Sequence, residues 1–536
     1  MPTRSVGYAL ASASGVLLAI SFPQYGHPAF GWIALTPLLV ALAGVPLRRA
    51  FLQGLLTGIV YFTGTLYWVT RVMATYGDIQ FWVAILINAA LVAYLSLFPA
   101  IFALVMRRIA VTHGPPALMA APLVWVATEL GRTYVLTGFP WVLLGYSQTT
   151  VLPVAQFASV FGVYGVSMLV AAMSAALAVV AAGPARAVPY VPASSSSQVR
   201  TRFSGVERFM PLIIVFAILI AVFVWGARRV AASEWTHMGD GIRVGLIQGN
   251  VDQAEKISRS RAGAIFQDYM AMTRRAIREG AEFVLWPESS TPFLFEVDVA
   301  AAEQIRALAR QARVPILFGS DQVEPGDHGV PAKYYNSAFL VGPDGTTGGV
   351  YRKIHLVPFG EYVPLKRILF FAAPLVEAVS DFSAGEDAAL LPVGTHTIST
   401  AICYEVVYPD LVRRFVAAGS EMLTTITNDA WFGATSAPYQ HFEQASMRAI
   451  EEGRYLVRSA NTGISGIVDP YGRVIAKTAI FQPAVTVGDA RFLRTSTFYA
   501  RHGDVLAYAS VVATVALLLV SRRRGGVWDQ GLAVRD

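Results

Sequence analysis

Charged side chains are scarce in this sequence of 536 residues: they make up 14% of it, whereas soluble globular domains contain roughly 25%. Hydrophobic residues make up 54%, and the mean hydropathy is +0.50. The shortage of charge excludes a purely soluble enzyme and a disordered protein, and it indicates a membrane protein. The first 182 residues contain only nine charged side chains, so we expect an apolar N-terminal part followed by a part of ordinary composition.

Cysteine is almost absent, and the sequence lacks clustered histidines and long basic tracts. The one cysteine, Cys403, excludes a disulfide within the chain, and a lone thiol is most often a small buried hydrophobic residue. The eight histidines are scattered, and we find neither a glycine-rich phosphate loop nor a zinc-binding spacing, so no metal site is expected. The net charge of +7 includes arginines that stand beside apolar runs, a pattern typical of membrane spans rather than of nucleic-acid binding.

Eight apolar runs approach the length of about 20 residues that a membrane-spanning helix needs. The runs are 6–22, 30–45, 51–69, 81–106, 116–131, 155–182, 211–227 and 504–521. The first has the position of a signal peptide, but further runs follow at once and no clear small-residue cleavage site ends it. The sequence therefore predicts a multi-span α-helical membrane domain with a further span near the C-terminus.

The arginines predict the orientation of these spans. If eight spans alternate, most arginines of the short connecting segments lie on one side, which the positive-inside rule makes cytoplasmic. These arginines are Arg4, Arg48, Arg49, Arg107, Arg108, Arg186, Arg200, Arg202, Arg208 and Arg522–Arg524. Both termini are then cytoplasmic, and so is a flexible Pro- and Ser-rich linker at 183–208 that includes Ser194–Ser197.

This orientation divides the chain into four predicted parts. They are an N-terminal membrane domain at 1–227 with about seven spans, an extracytoplasmic domain at 228–503, a last span at 504–521 and a cytoplasmic tail at 522–536.

Within the extracytoplasmic domain, short runs rich in Val, Ile and Phe alternate with helical patterns, which predicts an α/β layered fold. The predicted strands are Arg243–Gln248, Glu282–Trp286, Pro315–Gly319, Ser337–Val341, Thr397–Cys403, Met422–Thr427 and Gly463–Asp469. The predicted helices are Ser260–Glu279, Val299–Ala312 and Gln440–Arg454.

Three residues with reactive or charged side chains lie at or near the ends of predicted strands. Glu288 ends a Trp-Pro-Glu segment, Lys353 ends a Tyr-Arg-Lys segment, and Cys403 begins a Cys-Tyr-Glu segment. Singly, each has an ordinary interpretation, as a helix N-terminal carboxylate, a surface charge and a core thiol. Together they can support acyl transfer through a thioester, because a carboxylate can take the proton of the thiol and a lysine can stabilise an oxyanion.

In this order, the three segments resemble the Glu-Lys-Cys triad of the nitrilase, or carbon–nitrogen hydrolase, superfamily over about residues 241–490. Wider features resemble its membrane branch, the apolipoprotein N-acyltransferase family. They are the flanking spans and four segments: Gly-Phe-Pro-Trp at 138–141, Leu-Ile-Gln-Gly-Asn at 246–250, Pro-Phe-Gly-Glu-Tyr-Val-Pro at 358–364 and Asn-Asp-Ala-Trp-Phe-Gly at 428–433. The chain departs from the family pattern at Lys256-Ile257, where a tryptophan is expected.

The resemblance implies a bacterial inner-membrane enzyme whose nitrilase-like αββα domain faces the periplasm. Such an enzyme takes an acyl chain from a phospholipid, usually the sn-1 chain of phosphatidylethanolamine, and holds it as a cysteine thioester. It then passes the chain, in ping-pong fashion, to the α-amino group of the S-diacylglyceryl cysteine that begins an apolipoprotein. No cofactor is implied, and we expect a monomer.

The resemblance also assigns supporting roles near the triad. Glu361 matches an extra carboxylate that many nitrilase-like sites have beside the lysine, the alternative being a solvated loop charge. Tyr404 and Glu405 flank the nucleophile, so we expect the N–H of Tyr404 to serve the oxyanion hole and Glu405 to brace the loop of Cys403. Aromatic side chains are expected to bind substrate and keep water from the thioester, or else to belong to an ordinary core. These are Phe359, Trp431 and Phe432.

Three further polar residues have a local interpretation. Asn428 and Asp429 are interpreted as turn caps and left out of the site. Glu129 is either a functional charge within the membrane or a solvated one at its interface.

Two other functions remain open at this stage. A membrane-anchored nitrilase-type amidase would contain the same triad but would not need so many spans. A transporter with an extracytoplasmic binding domain would not need the triad, and its spans usually contain more ionisable residues than these.

Overall fold

The computed structural model describes residues 3–76, 80–182, 207–257, 259–326, 332–358, 360–362 and 382–529. The chain divides into two units: one comprises Met1–Tyr67, Ile85–Ala231 and Asp504–Asp536, and the other comprises Trp68–Ala84 and Ala232–Gly503. The predicted linker at 183–208 lies outside the described residues up to position 206, and Ser194–Ser197 lie there too.

The first unit is helical. The helices up to residue 232 are α1 (Arg4–Ala19), α2 (Thr36–Ala41), α3 (Leu47–Leu66), α4 (Trp68–Tyr76), α5 (Phe81–His113), α6 (Ala121–Tyr134), α7 (Leu152–Ala155), α8 (Ala158–Ala182) and α9 (Met210–Ala232). Of these, α4 belongs to the second unit.

Four helices in the described ranges are long and apolar enough to cross a membrane: Phe81–His113, Ala158–Ala181, Glu207–His237 and Val505–Arg522. A fifth span results if the bent pair Leu47–Leu66 and Trp68–Thr75 counts as one. Three predicted spans are shorter, because α1 has 16 residues, α6 has 14 and the run at 30–45 contains a 3₁₀ turn followed by the six-residue α2. By helix length, the described residues therefore contain fewer than eight spans. The number of eight spans and their orientation stay predictions.

Small residues let α3 and α5 approach closely. Gly54 and Gly58 lie one turn apart in α3, and a Cβ added to them would lie 2.4 Å from the carbonyl oxygen of Pro99 and 2.6 Å from the Cα of Ser96. Helices in a bilayer gain no hydrophobic energy from each other, so close backbone packing of this kind is a main source of their association.

In its described residues, the second unit contains two six-stranded sheets. Its strands are β1 (Gly241–Gln248), β2 (Phe283–Leu285), β3 (Ile316–Glu324), β4 (Lys333–Val341), β5 (Thr347–Arg352), β6 (Leu391–Val393), β7 (His396–Ile402), β8 (Met422–Thr427), β9 (Leu456–Ala460), β10 (Gly466–Val468), β11 (Val474–Lys477) and β12 (Ala484–Arg491). Its later helices are α10 (Gln253–Ile257), α11 (Arg259–Arg278), α12 (Val299–Ala312), α13 (Pro409–Ala417), α14 (Ala437–Glu452) and α15 (Phe498–His502), and α16 (Val505–Asp529) follows in the first unit.

The two sheets have the orders β12-β1-β2-β3-β4-β5 and β11-β10-β9-β8-β7-β6. In each, three parallel strands are flanked by antiparallel ones: β1, β2 and β3 in the first, and β7, β8 and β9 in the second. The sheets face each other where β1 contacts β9, and helices cover their outer faces, α11 against β1 and α14 against β9. This confirms the predicted αββα arrangement.

Helix α4 contributes an early piece of chain to this unit. The ring of Trp68 meets the ring of Phe432 edge-on, with 5.0 Å between centroids, and the side chain of Arg71 lies against Gly433. The second unit is therefore assembled from two separate stretches of sequence.

Candidate active site

The three predicted reactive groups all follow strands of the second unit. Glu288 lies three residues beyond β2, Lys353 directly follows β5, and Cys403 directly follows β7. All three are buried, with exposures of 5%, 1% and 7%. The ends of strands in layered α/β folds are the usual place for a site, and this position brings together residues that are far apart in sequence.

Glu288 is fixed by the residues just before it. The buried indole of Trp286 donates a hydrogen bond to Oγ1 of Thr273 in α11 at 2.8 Å, and the carbonyl of Pro287 accepts one from the N–H of Gly319 at 3.1 Å. A side chain at Gly319 could not be accommodated, because its Cβ would lie 2.7 Å from the Cα of Glu288. The Trp-Pro-Glu segment thus anchors the carboxylate against both α11 and β3.

Lys353 lies between two carboxylates. Its Nζ is 2.8 Å from Oε1 of Glu361 and 3.4 Å from Oε1 of Glu288. Burial alone lowers the pKa of Lys353, but Glu361, Glu288 and Cys403 raise it above its usual value. Lys353 is therefore a fixed ammonium ion, and Glu361 lies beside it as the sequence predicted.

Two neighbours of this pair were not predicted from the sequence. The side-chain amide of Asn336, on β4, donates to Oε1 of Glu288 at 2.7 Å and to Oε1 of Glu361 at 3.0 Å. The backbone N–H of Asn428 donates to Oε2 of Glu288 at 2.8 Å. An asparagine within a strand has no local pattern that marks it as part of a site.

Asn428 does lie at the N-cap position of the turn Asp429–Phe432, but its side chain does not cap it. No side-chain capping hydrogen bond is present at this turn; instead, the Asn428 amide donates to Oε1 of Gln253 at 2.8 Å and accepts from Asn461 at 2.9 Å. Asn428 therefore connects α10 to the loop after β9 while its backbone holds Glu288.

Cys403 has a left-handed backbone conformation, with φ at +53°. Such a conformation costs an L-residue roughly 1–3 kcal/mol and concentrates at functional sites. Burial and the charge of Glu288 raise the pKa of the Cys403 thiol, while Lys353 opposes them. The resting group is therefore a thiol, and the charge on Glu288 is one of the factors that keep it protonated.

Glu405 ties the loop of Cys403 to the segment around Lys353. Its carboxylate accepts hydrogen bonds of 2.7–3.0 Å from four donors: the N–H of Ile402, the hydroxyl of Tyr351, the N–H of Ile354 and the N–H of His355. Burial raises the pKa of Glu405 to about 7, against the effect of these hydrogen bonds. The strand ends that present the thiol and the ammonium are thus held by one buried carboxyl group.

The remaining predicted site residues have different placements. Tyr404 is buried in the first turn of the 3₁₀ helix Cys403–Val407. Trp431 and Phe432 are half-buried, which differs from an ordinary core, and the Phe432 ring meets that of His441 edge-on. Phe359 lies outside the described residues.

A second acid and a second lysine extend the charged cluster. Nζ of Lys256 lies 3.4 Å from the backbone carbonyl oxygen of Glu288. Burial raises the pKa of Asp321 to about 6, with Glu288 and Glu361 adding to the effect, and burial lowers the pKa of Lys256 to about 8. Lys256 belongs to the dipeptide that departs from the family pattern, while the side chain of its neighbour Ile257 lies outside the described residues.

Glu129, in the first unit, is buried and not solvated. It is 3% exposed, and its Oε1 accepts a hydrogen bond from the N–H of Leu144 at 2.6 Å. One turn away, Arg132 donates to the carbonyl of Trp141 at 2.7 Å. The two residues therefore hold the segment that contains the Gly-Phe-Pro-Trp motif.

In the parts of the chain that the structure describes, no three His, Cys, Asp or Glu side chains are grouped to hold a metal ion. The absence of a metal or cofactor stays a prediction.

Residues 243–494, which contain Glu288, Lys353 and Cys403, match the carbon–nitrogen hydrolase family. The fold and the site thus define a protein of the carbon–nitrogen hydrolase class. A solved structure of a mutant Nesterenkonia amidase of the nitrilase superfamily aligns with 50% of this chain and 94% of its own, with 21% identity and a TM-score of 0.37.

Residues 14–176 match the apolipoprotein N-acyltransferase N-terminal domain. An apolipoprotein N-acyltransferase of Geobacter metallireducens is 39% identical over 98% of this chain and 96% of its own length. Another, from Methylococcus capsulatus, is 33% identical over 97% of both. The chain belongs to the apolipoprotein N-acyltransferase family.

Proposed function

We propose that this protein transfers an acyl chain from a phospholipid to the N-terminal S-diacylglyceryl cysteine of apolipoproteins, through a thioester on Cys403. The expected donor chain is the sn-1 chain of phosphatidylethanolamine. The observation that carries the proposal is the position of Lys353 between Glu288 and Glu361, in electrostatic contact with the Cys403 thiol. The names of the relatives support the acceptor, and the apolar helices support substrates that are themselves lipids.

The first half-reaction forms the thioester. The sulfur of Cys403 attacks the ester carbonyl while its proton passes to Glu288, which removes one cause of the raised pKa of the thiol and leaves the charge of Lys353 beside the sulfur. Lys353 and the N–H of Tyr404 stabilise the oxyanion. The ester C–O bond then breaks, and Glu288 returns the proton to the oxygen of the leaving lysophospholipid.

The second half-reaction forms the amide. The α-amine of the acceptor attacks the thioester carbonyl, and Glu288 takes a proton from it. The C–S bond breaks, and that proton restores the thiol of Cys403. The burial of all three groups supports an acyl-enzyme that survives until the amine arrives, because water competes for the same carbonyl.

Intact-mass spectrometry tests this function. The purified protein is incubated with phosphatidylethanolamine of one defined chain and then with a diacylglyceryl peptide. We expect one hydroxylamine-labile acyl group on the protein, absent in Cys403→Ala, and its transfer to the peptide amine. Because the chain has one cysteine, a labile acyl group on Cys403→Ala would overturn the proposal. Release of ammonia from small amides, with no peptide acylation, would indicate the amidase instead.

We further propose that the protein lies in the bacterial inner membrane with both termini cytoplasmic and Cys403 periplasmic, as the arginine distribution favours. Reporter fusions at Ser194–Ser197 and at the C-terminus test this orientation. A periplasmic C-terminus would contradict it.

A further inference from the structure

Helix α14 places one buried histidine against the backbone of the nucleophile. His441 is 0% exposed, and its Nε2 lies 3.2 Å from the carbonyl oxygen of Cys403. Resting on the function proposed above, we infer that His441 is a positioning residue for acyl transfer: by holding this carbonyl it aims the N–H of Tyr404 at the oxyanion.

The neighbours of His441 determine which of its nitrogens carries the proton. Nη2 of Arg458 lies 3.0 Å from Nδ1 of His441, and a guanidinium can only donate hydrogen bonds. Nδ1 is therefore the acceptor, and Nε2 carries the hydrogen that is donated to the carbonyl oxygen of Cys403. Burial and the charge of Arg458 lower the pKa of His441, so the ring is neutral. Asp429, 3.1 Å from Nδ1, is held instead by Arg458 at 2.9 Å and by Thr427 at 2.8 Å.

The effect on the oxyanion follows from the geometry of the peptide bond. The carbonyl of Cys403 and the N–H of Tyr404 belong to one planar trans unit, so they point in opposite directions. Fixing the oxygen therefore fixes the N–H. This restraint is needed because Cys403 has a positive φ, a conformation that L-residues leave readily unless the surroundings hold it. Glu405 holds the preceding N–H, that of Ile402, so the loop is fixed on both sides of the sulfur.

Two variants separate this role from general stability. Glutamine places its amide N–H near the position of Nε2, whereas asparagine is one carbon shorter and cannot reach the carbonyl. We expect His441→Asn to acylate Cys403 more slowly and His441→Gln to approach the wild-type rate. Met447→Ala, at a buried position of the same helix, is the matched control for lost packing.

Two reactions of Cys403 are measured on the full-length protein in detergent. Acylation by p-nitrophenyl butyrate needs the oxyanion donor, whereas alkylation by iodoacetamide does not. In His441→Asn we expect acylation to fall roughly 10²-fold, the cost of a small misplacement of a catalytic group, with alkylation unchanged per folded molecule. Met447→Ala should keep the wild-type ratio of the two rates. Equal losses in both reactions, no loss in either, or an equal defect in His441→Gln would overturn the inference.

The ester probe separates this inference from the proposed function. It does not require a phospholipid or an apolipoprotein, so the ratio of the two rates reports on His441 alone. If phospholipid fails to acylate Cys403 while the ratio still changes as expected, the proposed donor is wrong and the role of His441 stands.

Discussion

Two buried charge clusters lie near Cys403, and they differ in the number of acidic and basic groups that each contains. Around Glu288, three acids (Glu288, Glu361 and Asp321) face two lysines (Lys353 and Lys256). Around His441, one carboxylate (Asp429) faces one guanidinium (Arg458) at 2.9 Å, and both are 0% exposed.

The first cluster can accept one more positive charge, and the second cannot. An acid in excess of the lysines is able to take a proton from a thiol or an amine without leaving its neighbours unpaired. The balanced cluster has no such capacity, so it can only hold geometry. Under the proposed function, this difference in charge balance separates Glu288, the proposed proton acceptor, from His441, the proposed positioning residue.

Glu288→Gln should have the largest effect, because it removes a carboxylate that contacts both Lys353 and the backbone N–H of Asn428. We expect thioester formation to slow ~10²–10⁴-fold, the usual contribution of a positioned acid–base group. Single-turnover acylation followed by mass spectrometry measures it, with the exposed Glu386→Gln as control. A wild-type rate of acylation in Glu288→Gln would mean that Glu288 does not take the proton of the Cys403 thiol.

Lys353→Met should slow acylation by roughly 10²–10³-fold, the effect of losing one oxyanion donor. It should also move the pH profile of iodoacetamide alkylation to higher pH, because the charge of Lys353 opposes the rise in the pKa of Cys403 that burial causes. Lys333→Met changes an exposed lysine and should alter neither rate. An unshifted profile would remove Lys353 from the environment of the thiol.

Glu361→Gln keeps the shape of the side chain but removes the excess acid. Loss of its charge-assisted hydrogen bond to Lys353, worth about 1.5–3 kcal/mol, should reduce acylation roughly 10–10²-fold. The pKa of Lys353 should fall, since Glu361 is the largest factor that raises it, so activity should decline earlier at alkaline pH. A pH–rate profile up to the limit of folding tests this, and an unchanged alkaline limb would contradict it.

Asp429→Asn should have the smallest effect on the reaction of folded protein and a clear effect on stability. Removing one partner of a buried ion pair costs about 3–5 kcal/mol, whereas Asp489→Asn, in an exposed pair 3.9 Å from Arg243, should cost little. Denaturant midpoints compare the two variants. A larger loss in Asp489→Asn would reverse our assignment of the two pairs.

The same pair predicts a pH dependence. Burial alone would raise the pKa of Asp429, but the charge of Arg458 and the other partners of the carboxylate together outweigh burial, and the pKa is lowered to about 2. A depressed carboxyl pKa stabilises the fold above the unfolded-state value, and this stability is lost as the pH falls towards 2. The stability difference between wild type and Asp429→Asn should therefore shrink below about pH 4; a constant difference would show that the carboxylate is not the source.

The sequence predicted the groups that follow local patterns. Glu288, Lys353 and Cys403 each stand next to an apolar run that becomes or borders a strand, so their convergence could be expected from the fold. Asn336, Lys256 and His441 could not be found in this way, because their partners are 48, 32 and 38 residues away and no local pattern marks a tertiary contact.

The missed strands have a similar explanation. The apolar run of β9 is interrupted by Arg458. The buried guanidinium of Arg458 is paired with the carboxylate of Asp429, and the local sequence does not reveal this partner. β12 lies beside β1 although more than 200 residues separate them in the chain. In the first unit, apolar runs located the helices, but hydropathy does not register the breaks that shorten α2 and α6.

The split composition of the second unit has a consequence for biosynthesis. Because α4 precedes β1 in the chain, the ribosome releases Trp68 long before it makes Phe432, the ring that Trp68 contacts. Domains generally fold in the order of their synthesis. The second unit cannot be completed until its last strands are made, and until then α4 lacks the Phe432 ring that Trp68 contacts. A fragment that starts at Ala232 would complete both sheets and still leave the Phe432 ring without that cover.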